Sequence, residues 1–175
     1  MTPEREHNQI SFDEIASNAK EHLLESGEHL PALILEASND IFVGEIPDVP
    51  GTHGDRMELM RLLGESAANG GKVGQLSQVF MISEGWMSMG AKDKPAVMSP
   101  SEDPNRKEVL IVSSINILED MKRIELFEIF RDENKKVIDL TRLLPDEDKK
   151  DESVKIPLLE TFVQSFRIAY QAKNN

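Results

Sequence analysis

The stretch "HLPALILEASNDIFVGEI", His29 to Ile46, decides the fold. Two apolar runs flank Ser38-Asn39-Asp40. These three residue types tolerate the left-handed conformations of a tight reversal, so the spacing predicts a strand over 29–37 that returns over 41–46. Pro31 has no amide proton to give to a ladder and marks the entry of the first strand or a sheet edge. Strands joined by turns this short pair antiparallel, and helices must then cover the apolar face of the sheet.

Working outward, the segment before the hairpin reads as a helix. Ser11 and Glu14 have capping-box spacing, and Ile10 with Ile15 can form the hydrophobic staple. Phe12, Ile15, Ala16, Ala19 and Leu23 recur at helical spacing, and Gly27 is a natural stop. After the hairpin, "PDVPGTHGD" is a rigid connection. Thr52 is placed to cap a second helix with Asp55 in its first turn. Leu59, Leu62, Leu63, Ser66 and Ala67 are its expected inner face, and "ANGGKVG" ends it. "QLSQVFMISEGWMS", "KEVLIVSSI" and "KRIELFEIF" are further strands. "DENK" is a turn into a short sixth strand. The last helix, from Pro157, presents Leu159, Phe162, Val163, Phe166 and Tyr170 on one stripe. The order is α-β-β-α-β-β-β-(β)-α. It predicts a single α+β domain over 1–175, with a five- or six-stranded antiparallel sheet flanked by helices. Residues 1–10 read as a flexible lead and 144–156 as a charged linker.

Composition limits the partners. Of 175 residues, 39% are hydrophobic and 30% charged, which is usual for a globular chain able to bury its own core. Cysteine is absent, which removes disulfides and thiolate chemistry. The formal net charge of -12 repels phosphate backbones and anionic lipid, so neither nucleic acid nor membrane is an expected partner. No run approaches spanning length and no apolar leader is seen, so the chain reads as cytoplasmic.

One corner concentrates the chemistry. Side chains alternate along a strand, so Phe80, Ile82, Glu84 and Trp86 share a face, and Glu84 is its odd member. Such a carboxylate is either the buried half of an ion pair or an acid-base group with a raised pKa. The structural reading is favoured. "PSEDPNRKE" follows at Pro100–Glu108. Asp103-Pro104-Asn105-Arg106 suits a type I turn, which delivers Arg106 to the start of the next strand. If the two strands are neighbours, Arg106 can fork onto Glu84 and stack on Trp86. The plain alternative is a solvated turn. His53 and Asp55 lie close at a helix start, but two ligands do not make a metal site, and no metal or cofactor is expected. No serine lies in a nucleophile elbow, and "NGGKVG" does not fit a phosphate loop. Met81, Met87, Met89 and Met98 suit either core filling or a soft contact surface.

The element order resembles the roadblock and profilin-like group, in which a five-stranded antiparallel sheet lies between helices. That resemblance implies a scaffold or regulatory dimer. "VFMISEGWMS" followed by "PSEDPNRKEVLIVS" is similar to a family of bacterial and phage proteins. In that family an E-x-W strand precedes a P-S-x-x-P-x-R-x-E loop; the likeness covers residues 79–114 and implies no activity. The resulting expectation is a non-enzymatic scaffold or regulatory module, a homodimer that has a possible protein partner. The rival is a small-ligand sensor or enzyme whose site uses Glu84, Asp103 and Arg106, with Trp86 and His53 nearby. A concave polar site there favours the rival, and a flat apolar patch favours the scaffold.

Overall fold

The computed structural model describes residues 9–38, 40–88, 104–143 and 155–175. Three helices and six strands follow the expected order: α1 (Phe12–Ser26), β1 (Ala32–Ala37), β2 (Ile41–Glu45), α2 (His53–Asn69), β3 (Leu76–Met87), β4 (Lys107–Asn116), β5 (Met121–Arg131), β6 (Val137–Leu143) and α3 (Pro157–Asn174). All six strands form one sheet in the order β2-β1-β3-β4-β5-β6, and every neighbouring pair is antiparallel. The expected lead and linker fall mostly on 1–8 and 144–154, outside the described residues.

Alternation along the strands sends one set of side chains to each face of the sheet. On one face, Phe80 and Ile82 of β3, Leu110 and Val112 of β4, and Phe127 and Ile129 of β5 pack under α1. The apolar stripe of α1, from Phe12 to Leu23, closes that core. Arg123 of β5 pins the start of the helix. Its guanidinium lies 4.2 Å from the Phe12 ring centre and bonds Asp13 at 2.7 Å and Glu125 at 2.8 Å. On the other face, Leu33 and Leu35 of β1 and Val79 and Met81 of β3 meet Met60 of α2 and Leu159, Phe162 and Phe166 of α3.

Local signals set the helix limits. Gly27 ends α1 at φ 81, and its N–H returns to the Leu23 carbonyl. Ser11 has the extended backbone of an N-cap, but its hydroxyl makes no cap bond. The Thr52 side chain does cap α2, accepting from the Asp55 amide at 3.2 Å. The inner face of α2 differs from the expected one. Met60, Gly64 and Ala68 are buried, while Leu62 and Ser66 are exposed. Leu59, Leu63 and Ala67 only flank that core. Gly64 and Ala68 keep this face low where α3 crosses α2: a Cβ at Gly64 would meet the Phe166 backbone nitrogen at 3.1 Å.

Candidate functional site

β1 and β3 do not end together. Their ladder runs from Ala37 opposite Leu76 to Ala32 opposite Ile82. β3 continues beside β4 as far as Met87 opposite Lys107. Ser83–Met87 therefore have β4 on one side, and among the described residues no strand pairs with the other. Pro31 faces β2 at this point: its carbonyl accepts from the Ile46 amide at 2.7 Å.

A cavity of about 630 Å³ opens at this step. Ser83, Glu84, Gly85 and Trp86 all line it. Consecutive strand residues point to opposite faces, so a hollow that touches all four lies against the edge of the strand. Pro31, Val49, Met81 and Leu158 give it apolar walls. His53 and Arg56, from the first turns of α2, form the far side, and Arg56 Nε donates to the Pro50 carbonyl at 2.6 Å.

Glu84 sits at the inner end. Its Oε1 accepts from the His29 amide at 2.7 Å, and its Oε2 lies 4.0 Å from Arg131. Burial pushes its pKa above the usual glutamate value, and the nearby Glu108 charge adds to this. The His29 amide and Arg131 oppose the rise without cancelling it. Arg131 itself forks onto Glu108, with Nε at 2.9 Å and Nη2 at 2.6 Å. Its Nη1 donates to the Gly27 carbonyl at 2.8 Å, just past the C-terminus of α1, where positive charge is favoured. Arg106 lies over Trp86, with its guanidinium carbon 4.3 Å from the ring centre. Trp86 remains 47% exposed.

The sequence placed Glu84, Trp86, Arg106 and His53 at one corner. The structure has Glu84, Trp86 and His53 lining one cavity, with Arg106 stacked on Trp86. The expected fork of Arg106 onto Glu84 is replaced. Arg131 is the cation facing Glu84, and Arg106 takes the indole. Arg131 reaches the corner because the β4–β5 and β5–β6 ladders bring the end of β5 beside the start of β4. Asp103 lies outside the described residues, as do Met89 and Met98. Met81 is buried core, and Met87 ends β3. Arg131, the His29 amide, Arg56 and Val49 were not anticipated. A cation at the end of a long strand beside the "DENK" turn was the signal for Arg131.

Among the described residues no three histidine, aspartate or glutamate side chains are grouped as a metal site requires. No described helix is long and apolar enough to cross a membrane. A larger hollow of about 760 Å³ runs between α2 and α3, but Arg61 on its rim is already held by Glu58 and Glu65.

An acidic α+β chain with an antiparallel sheet between helices and a recessed corner at a strand edge is the class these features define. A family model described as bacteriophage lambda protein ea47 matches residues 1–167, and the chain belongs to that family. No curated protein and no solved structure matches the chain.

Proposed function

We propose that this protein is a binding module that works through the corner at the open end of β3. One observation carries the reading: four consecutive residues of β3 line a single cavity beyond the end of β1. The charged groups there already have partners that orient them. Glu84 is held by the His29 amide, Glu108 by Arg131, and Trp86 is stacked by Arg106. Held groups favour recognition, since a ligand meets a pre-formed surface. Trp86 is the single tryptophan of the chain, so its emission reports this corner alone. A screen of metabolites and short peptides by thermal shift and Trp86 emission tests the reading. Binders are expected to change both signals and to weaken on Trp86→Phe. Binders that leave emission unchanged and bind Trp86→Phe equally would refute it.

We also propose that the module is a homodimer, from a second observation. Helices α2 and α3 cover β1, β3 and part of β4, and no described residue of β5 or β6 joins their core. On the half of that face which no described helix covers lie Ile124, at 39% exposure, and Phe130, at 40%. The charge beside them is balanced, since Lys107 bonds Glu128 at 2.9 Å. Two copies of a chain carrying -12 meet most readily where the local charge is near zero.

A further inference from the structure

We infer that the edge of β3 over Ser83–Met87, which no described strand pairs, takes up an extended peptide as an added strand, and that this peptide alternates an apolar with a basic side chain. The inference rests on the binding-module reading and names its ligand class.

The backbone supplies the first argument. Along an antiparallel strand, every second residue turns its N–H and C=O away from a given neighbour. Over Ser83–Met87 those groups point away from β4, into the side where β1 has ended. A ladder of alternating donors and acceptors is matched by another extended backbone. The stretch spans about 16 Å at ~3.3 Å per residue, room for a peptide of about five residues.

The side chains supply the second. A strand added in line with β1 sends alternate side chains to the two faces of the sheet. On the face of α2 and α3 the cavity is bounded by Val49, Met81 and Leu158, which suits an apolar residue. On the face of α1 it is bounded by Glu84, Glu108 and Trp86. The protein's own arginines show what these groups accept. Arg131 forks onto Glu108, and a guanidinium rests on the Trp86 ring. Glu84 and Glu108 stand beside Arg131 and Arg106 here, so the local charge is balanced and the preference for a basic side chain rests on the charge of the whole chain. The net charge of -12 draws a basic peptide toward the corner and repels an acidic one.

The probe is a set of capped, fluorescein-labelled pentapeptides titrated into the full chain. Val-Lys-Val-Lys-Val is compared with Val-Glu-Val-Glu-Val and with versions N-methylated at alternate amides, read by anisotropy and Trp86 emission. The basic peptide is expected to bind, and the acidic one to bind at least about tenfold more weakly. N-methylation in one of the two alternating registers is expected to abolish binding, while the other leaves it nearly unchanged, because only one set of amides faces β3. Glu108→Gln is expected to weaken the basic peptide about tenfold, with folding checked by circular dichroism. Equal effects of both methylation registers, or equal binding of acidic and basic peptides, would overturn the inference. A metabolite that shifts Trp86 emission while no peptide binds would overturn it too, yet leave the binding-module reading standing. If no ligand of any kind moves that signal, both fall.

Discussion

Gly64 is where the packing of this protein is most exposed to a single atom. A Cβ added there would come closer than 3.0 Å to the Phe162 carbonyl oxygen and meet the Phe166 nitrogen at 3.1 Å. Both are backbone atoms of α3, so no side-chain rotation relieves the clash. Gly64→Ala therefore has to push α2 and α3 apart by several tenths of an ångström or more. A radial gap of 0.5–1 Å forfeits about a quarter to a half of each van der Waals well it opens. The contacts at risk are those of Met60 and Ala68 with Leu159, Phe162, Val163 and Phe166. Overpacking of this kind costs about 1–3 kcal/mol or more, while replacing a helical glycine returns about 1 kcal/mol. The expected net effect is a loss of about 1–2 kcal/mol, read as a lower urea midpoint with an unchanged slope. Gly54, in the first turn of the same helix, is the internal control, because a Cβ there meets nothing within 4 Å. Gly54→Ala is expected to be neutral or to stabilise by up to about 1 kcal/mol. If Gly64→Ala raises the midpoint as Gly54→Ala does, the helices do not cross at backbone distance and the reasoning fails.

Four further outcomes are expected. Glu84 has a pKa above the usual value of 4.5, so the folded state holds its proton more tightly than the unfolded chain; its contribution is full below 4.5 and is lost as pH rises through the raised value. Glu84→Gln should gain stability relative to the parent across that window in pH-dependent urea melts, and a constant difference would count against the buried carboxylate. A double-mutant cycle of Glu108→Gln with Arg131→Met should show coupling of about 1–3 kcal/mol, larger than that of Glu84→Gln with Arg106→Met; the reverse order would mean that Arg106 serves Glu84 after all. Thr52→Ala should cost about 1 kcal/mol through loss of the α2 cap, measured by thermal melting, whereas Ser11→Ala, at a position with no cap bond, should cost clearly less. Phe130→Asp should turn a dimer into a monomer in sedimentation equilibrium, and a parent that is monomeric at high concentration would end that proposal.

The fold was legible where residues signal locally. Gly27 and the Ser38–Asp40 turn place the first helix and hairpin, because each answers to backbone sterics within a few residues. Short turns gave the antiparallel pairing of β1 with β2, β4 with β5 and β5 with β6, since they leave no alternative. The face of α2 was misread because leucine looks like core, yet the closest helix contact is made by a glycine that no hydrophobic count would select. At the corner, alternation along β3 identified Glu84 and Trp86 as companions. The partner of Glu84 was not legible, because Arg131 lies two strands from β3 across the sheet, and its approach depends on the register of β4 with β5. The cavity was equally hidden, since it arises from the difference in length between β1 and β3.

The order of the strands has a consequence for synthesis. β3, β4, β5 and β6 are consecutive in the chain and adjacent in the sheet, so this meander pairs only strands that follow one another in the chain. α1 packs on that meander: its stripe from Phe12 to Leu23 meets Phe80, Leu110, Phe127 and Val137. On the ribosome, at about 5–20 residues per second, α1 emerges seconds before the last of those strands. Through that interval its apolar stripe has no sheet to cover and stands open to chaperones or to neighbouring chains. The first helix made is thus among the last to be buried.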